Sequence, residues 1–251
     1  MTSNPLAVVL FDLDDTLFQH REAVDDAVIA TLEAMERRGD ASFLAGEQAR
    51  WRALEEHHYN RYLAGELDYQ GQRRARVREF LADYGTAIEG RAAEAWFERW
   101  VRRYRAAFRL HADALPCLDA LEQVLPDVRF GIITNGDLAF QTAKLEALGV
   151  EQRFAHVVTS GELGIAKPDP GIFQAAAERF GVGPEGCAYV GDRIRTDAIG
   201  AAKAGMTGVW LDRGTAEAAP GDLAEARRLE VPVISGLGEL PDLLLERSGA
   251  A

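Results

Sequence analysis

Residues Leu6 to Leu17 read LAVVLFDLDDTL, an unbroken apolar run that passes directly into Asp12, Leu13, Asp14, Asp15 and Thr16. Apolar residues without polar alternation suit a parallel strand covered on both faces, and open parallel sheets carry their chemistry beyond the carboxyl ends of the strands. Asp12 and Asp14 therefore fall where a site is expected. Residues i and i+2 project the same way from extended chain, so the two carboxylates would repel by about 4 kcal/mol at ~4 Å and an effective dielectric of ~20. A cation, a shared proton or a chemical duty would account for such crowding. A turn or a helix N-cap would account for it too, because Asp accepts backbone N–H bonds in both settings.

Outward from this strand, the chain after Leu110 alternates short apolar runs with helical patterns. The runs are Val128 to Asn135, Ala155 to Ser160, Cys187 to Asp192, Thr207 to Asp212 and Val231 to Ser235. That alternation predicts an α/β fold with a parallel sheet. Helix punctuation agrees with it, as where Asp169 stands as N-cap, Pro170 at the first helical position and Gly181 just past the end. Arg247 to Ala251 is expected to fray.

Between the first strand and the second the pattern is helical throughout. Val24, Val28, Leu32 and Met35 recur at helical spacing in Arg21 to Gly39, with Gly39 fit to end the helix, and further helices are predicted at Phe43 to Leu63, Asp68 to Tyr84 and Arg91 to Leu110. Trp96, Phe97, Trp100, Val101, Tyr104 and Phe108 form an apolar stripe on the last of these, read as bundle core. The chain thus divides into a discontinuous sheet domain, residues 1–16 and 111–251, and an all-helical insert, residues 17–110. The insert holds 16 Arg and no Lys against 16 acidic residues, while the remainder holds 12 basic and 24 acidic residues and so carries the whole net charge of -12.

That charge argues against nucleic acid as a partner, and no apolar run approaches the ~20 residues that would cross a bilayer. The amino-terminal MTSNPL has no basic n-region of a signal peptide. Two cysteines in 251 residues, Cys117 and Cys187, are read as reduced thiols of a cytoplasmic protein. Oligomeric state has no signature in the sequence.

The remaining strand ends can be set beside the first. Val128 to Asn135 finishes on Thr134, Asn135 and Gly136, and a helix starting near Asp137 would offer N–H groups to an anion; a Thr cap followed by a turn Gly explains the same residues. Lys167, one of three lysines in a chain with 25 arginines, precedes the helix capped by Asp169. A compact ammonium does work that a planar guanidinium does not. In YVGDRIRTD, Tyr189 to Asp197, a strand ends on Asp192 and Asp197 follows five residues later, with Gly191 permitting close approach.

DLDDT at Asp12 to Thr16, TNG at Thr134 to Gly136, KPDP at Lys167 to Pro170 and GDRIRTD at Gly191 to Asp197 together resemble, in order and spacing, the four motifs of the haloacid dehalogenase (HAD) superfamily. The insert resembles that family's four-helix cap, and the whole is similar to its capped phosphatases. The resemblance implies a Rossmann-like sheet core with an inserted helical cap that governs substrate choice, and Mg2+-dependent hydrolysis of a small phosphorylated metabolite. It implies Asp12 as nucleophile forming an aspartyl phosphate and Asp14 as general acid and base. Asp12, Asp192 and Asp14, the last through its backbone carbonyl, would be the metal ligands. Thr134, the Asn135 amide and Lys167 would hold the phosphoryl oxygens, and Asp197 would orient metal waters or Lys167. Many relatives have Ser where this chain has Arg193, which would either face the site or pair with a nearby acid. Arg61, Arg73, Arg74, Arg76 and Arg78 are candidates to touch an anionic leaving group, although solvated helix faces explain most of them. A 2-haloacid dehalogenase, which lacks the second motif-one acid and needs no metal, and a catalytically silent binding protein on the same scaffold remain as alternatives; Asp14 and Asp192 argue against the first.

Overall fold

The computed structural model describes residues 6–215 and 218–248. Residues 1–5, read above for targeting signals, and the last three of the stretch expected to fray lie outside them. Arg247 itself lies within the final helix, Leu240–Ser248.

The chain forms two compact units, one from Met1–Gln19 with Arg109–Ala251 and one from His20–Phe108. In the first, six parallel strands lie in the order β3-β2-β1-β4-β5-β6: β1 Val8–Phe11, β2 Arg129–Thr134, β3 His156–Thr159, β4 Cys187–Gly191, β5 Thr207–Leu211 and β6 Val233–Ile234. This is the Rossmann-like order, in which the direction of winding reverses between β1 and β4 and opens a crevice beyond their carboxyl ends. β1 is buried along its whole length, as its continuous apolar run requires of a central strand covered on both faces. Its neighbours are in register through Leu10↔Gly131 and Leu10↔Tyr189. Val8 and Leu10 pack with Phe173, Ile172 and Tyr189 on one side of the sheet, while Phe11 meets the edges of Phe130 and Phe154.

The last strand is shorter than Val231 to Ser235: Val233 and Ile234 pair with β5, and Pro232 joins through its carbonyl, which accepts from the Trp210 N–H at 3.0 Å. Ser160 belongs to a helix rather than to β3, since Thr159 turns to cap that helix through the Glu162 N–H.

The helical unit holds α1 His20–Ala34, α2 Ala41–Leu63, α3 Tyr69–Ala82 and α4 Gly90–Ala106. Asp40 and Asp68 cap α2 and α3 by accepting from the Phe43 and Gly71 N–H groups. Helix α1 stops well before Gly39. Glu36 takes the left-handed conformation, φ 55°, and the Arg37 N–H closes back on the Leu32 carbonyl, so an acidic residue supplies the terminating turn expected of glycine. The four helices pack in a ring, α1 on α2 and α4, and α3 on the same two. Trp51, fully buried at its centre, stands 5.0 Å from Phe80 and 4.7 Å from Trp100, whose ring stacks on Tyr104. The aromatic stripe is bundle core.

The five arginines differ in burial and meet partners of this same unit. Arg76 is buried and bonds Glu55 at 2.6 Å and Gln72 at 2.9 Å, so it is a core residue and not part of a solvated face. Arg74 meets Glu94, Arg61 meets Glu66 and Arg78 approaches Glu89; Arg73 lies over the Tyr69 ring.

Among the described residues the sheet unit carries seven further α-helices: α5 Ala114–Val124, α6 Leu138–Leu148, α7 Ser160–Leu163, α8 Pro170–Arg179, α9 Gly200–Lys203, α10 Pro220–Arg228 and α11 Leu240–Ser248. Cys117 and Cys187 are buried and unpaired. No described helix is long and apolar enough to cross a membrane.

Candidate active site

Asp12 leaves β1 still in the ladder, its N–H donating to the Val190 carbonyl at 2.8 Å. The chain then turns sharply. The Leu13 carbonyl accepts from both Leu17 and Phe18, and Asp15 adopts φ 61°, a left-handed conformation that Asp tolerates because its short side chain bonds locally. The turn returns Thr16 beneath the strand end. Its hydroxyl accepts from the Asp192 N–H at 3.1 Å and lies 3.4 Å from Asp12 Oδ2, which fastens the exit of β1 to the exit of β4.

Beyond β4 the chain enters a π-type turn, Ile194–Ile199, that carries Asp197. Gly191 is required there: any Cβ on it would collide with the Asp197 carboxylate. Gly208 of β5 likewise admits the Ala198 carbonyl against the sheet. The result brings carboxylate oxygens of Asp12, Asp192 and Asp197 within 4.8 Å of one another.

Lys167 supplies the counter-charge. Its Nζ donates to Asp12 Oδ1 at 2.6 Å, to Asp197 Oδ1 at 2.7 Å and to the Tyr189 hydroxyl at 2.7 Å, which uses all three ammonium hydrogens. Burial alone would depress its pKa, but Asp12 and Asp197 outweigh burial and raise it. The acids respond to the same crowding. Burial, with Asp197 and Asp14 adding to it against the pull of Lys167, pushes Asp12 up to about 7. Burial, with Asp197, Asp12 and Asp15 beside it, pushes Asp192 up to about 8. Arg193 is exposed, its charge opposes the rise at Asp192, and its N–H donates to Asp197 Oδ2 at 2.9 Å.

Thr134 and Asn135 follow β2. The Thr134 oxygen accepts from Gln141 Nε2 at 2.9 Å, which leaves its own hydrogen for donation. Asn135 and Lys167 are joined reciprocally: Nδ2 donates to the Lys167 carbonyl at 3.0 Å and the Lys167 N–H donates to Oδ1 at 2.8 Å. The Asn135 side chain thus holds Lys167 in place. At the start of α6 the Asp137 carboxylate already caps the Phe140 N–H at 2.9 Å, so the helix terminus is less open to an anion than its sequence predicts.

Asp14 stands apart from the three clustered acids. Its carboxylate turns to α6, with Oδ1 2.5 Å from Lys144 Nζ and Oδ2 3.4 Å from Gln141 Nε2.

All clustered side-chain donors are carboxylate oxygens, and the raised pKa values of Asp12 and Asp192 mark a site where negative charge lacks sufficient compensation. Both features fit a hard divalent cation of the Mg2+ class. Asp197 already receives Lys167 and the Arg193 N–H, so Asp12 and Asp192 are the better placed of the three to meet it.

The sequence of residues 6–205 matches the family model of haloacid dehalogenase-like hydrolases. The chain belongs to that family. This hydrolase is 35% identical to the phosphoserine phosphatase of Thermus thermophilus over 88% of its own length and 97% of that protein. It is 32% identical to the glyceraldehyde 3-phosphate phosphatase of Methanopyrus kandleri over 83% and 85% of the two chains. In fold it is similar to a putative HAD-hydrolase, YfnB, from Bacillus subtilis, solved bound to magnesium, with TM-score 0.76 and 20% identity over 96% of this chain and 99% of that one.

Sequence reasoning about the hydrolase overlooked three residues of the site. Tyr189, fully buried in β4, accepts from Lys167 and lies 3.0 Å from the Ile133 carbonyl; as an apolar-run residue it gave no signal. Gln141 and Lys144 did give one. They share the inward stripe of α6 with Leu145, and a lysine in such a stripe, in a chain with only three, is out of pattern.

Proposed function

We propose that this hydrolase is a metal-dependent phosphomonoesterase that cleaves a small phosphorylated metabolite through an aspartyl phosphate. The observation that carries the reading is the pairing of buried Asp12 with Lys167 at 2.6 Å, at the switch point of the sheet and beside Asp192 and Asp197. The phosphatases among its relatives support the same substrate class.

Asp12 attacks phosphorus while the bond to the leaving oxygen breaks, and Asp14 gives that oxygen its proton. A water then attacks the aspartyl phosphate, Asp14 takes the proton it sheds, and phosphate leaves with Asp12 regenerated. Mg2+, held by Asp12, Asp192 and the Asp14 backbone carbonyl, would supply charge neutralisation between the carboxylates and the phosphoryl oxygens. Thr134 and the Asn135 backbone N–H donate to phosphoryl oxygens, and Lys167 shares its charge between Asp12 and the transferring group. Asp197 orients Lys167, for which its 2.7 Å bond is support.

The test is release of p-nitrophenol from p-nitrophenyl phosphate with Mg2+ and with EDTA. Metal-dependent turnover that Asp12→Asn removes is the expected result. Turnover that persists in Asp12→Asn would deny the nucleophile, and none under any divalent metal would favour a silent binding protein.

A further inference from the structure

We propose that Lys144 is a positioning residue that fixes the Asp14 carboxylate for proton transfer, with Gln141 coupling that carboxylate to Thr134. The inference rests on the acid–base assignment of Asp14 made above. Lys144 is 1% exposed. Its Nζ touches Asp14 Oδ1 at 2.5 Å and lies over the rings of Phe18 at 4.6 Å and Phe140 at 5.6 Å. The aromatic faces favour a cation and exclude water from it, so the ammonium is aimed and cannot swing to solvent.

A lysine on an inward helical stripe is costly where leucine or methionine would serve for packing alone. What it gains is a definite place for a neighbouring acid. Asp14 is two residues from Asp12, and a carboxylate repelled by Asp12 and about one-third exposed would otherwise occupy several rotamers. Misplacement of a reacting group by ~1 Å costs on the order of a hundredfold in rate. One helical turn of α6 addresses two residues of the site together, since Gln141 donates to Thr134 Oγ1 at 2.9 Å and lies 3.4 Å from Asp14 Oδ2.

The experiment compares the whole protein with Lys144→Met, Asp14→Asn, the double variant and Asp12→Asn on p-nitrophenyl, phenyl and benzyl phosphate. p-Nitrophenolate departs without a proton, whereas the more basic leaving groups need one. Lys144→Met is therefore expected to lose roughly a hundredfold in kcat/KM on benzyl phosphate, and only a few-fold on p-nitrophenyl phosphate. In the Asp14→Asn background the substitution is expected to add nothing, as for residues that act through one another. An equal loss on all three substrates, full additivity, or wild-type kinetics would overturn the proposal. If Lys144→Met melts below the assay temperature, Lys144→Gln serves in its place, since it keeps a donor and removes the charge. Wild-type turnover abolished by Asp12→Asn, with no effect at Lys144, would deny the role of Lys144 alone; absence of wild-type turnover on every ester would deny the phosphomonoesterase reading and this inference with it.

Discussion

The Asp197 carboxylate lies directly beneath the α-carbon of Gly191, in the space a Cβ would fill. From there it reaches Lys167 at 2.7 Å and, through Lys167, Asp12. Gly191→Ala is expected to push Asp197 off the lysine, at a cost of about 1–3 kcal/mol from overpacking. Turnover is expected to fall roughly tenfold to a hundredfold, because Lys167 and Asp12 lose their alignment. Thermal unfolding and steady-state kinetics of the variant check both effects; wild-type values for each would show that the turn relaxes freely.

Tyr189→Phe removes the hydroxyl that accepts from Lys167 and lies 3.0 Å from the Ile133 carbonyl. Two buried groups lose a partner, so a loss of about 1–3 kcal/mol is expected in a urea titration. Turnover is expected to change less than stability, since Lys167 keeps its bonds to Asp12 and Asp197.

Without metal, stability is expected to fall as pH rises. Asp12 and Asp192 have folded pKa values raised from the usual 3.8 to about 7 and about 8. Between pH ~4 and ~8 the folded protein therefore holds protons that the unfolded chain has released, and ΔG of unfolding decreases with pH across that window, levelling above it. Mg2+ held by these carboxylates, as proposed above, would replace those protons, so its addition is expected to raise the melting temperature at pH 8 far more than at pH 5. Melting curves at both pH values with Mg2+ and with EDTA decide this, and an equal shift at the two would contradict the charge crowding.

In the helical unit, Arg76→Ala strips the buried partner from Glu55, which burial alone would push upward in pKa and which Arg76, with His20, holds below its ordinary value. A destabilisation of about 3 kcal/mol is expected. Arg78→Ala, at an exposed pair 3.9 Å from Glu89, is expected to stay within about 0.5 kcal/mol of wild type. Equal effects in chemical denaturation would show that burial of Arg76 is energetically idle.

Much of the molecule was open to reading from its residues alone. The run from Leu6 to Phe11 specified a doubly covered strand because a hydrophobic stretch without alternation has no face to give to water. Motif spacing then set the order of strand ends, and the acids fell at them. Local punctuation was less dependable: Glu36 ends α1 where Gly39 was expected, since a left-handed residue needs only tolerance of that conformation when tertiary packing stops the helix.

What the chain order could not decide was which polar atoms meet. Asp12, Asp14, Asp192 and Asp197 are four acids of one composition, yet three converge and Asp14 turns to α6. That partition depends on the π-type turn pressed against Gly208, on the absent Cβ of Gly191 and on Lys144, 130 residues from its partner. Hydrophobic periodicity is a local property written along the chain; hydrogen-bond partnership across the sheet is a matter of register and side-chain reach, and only folding brings those together.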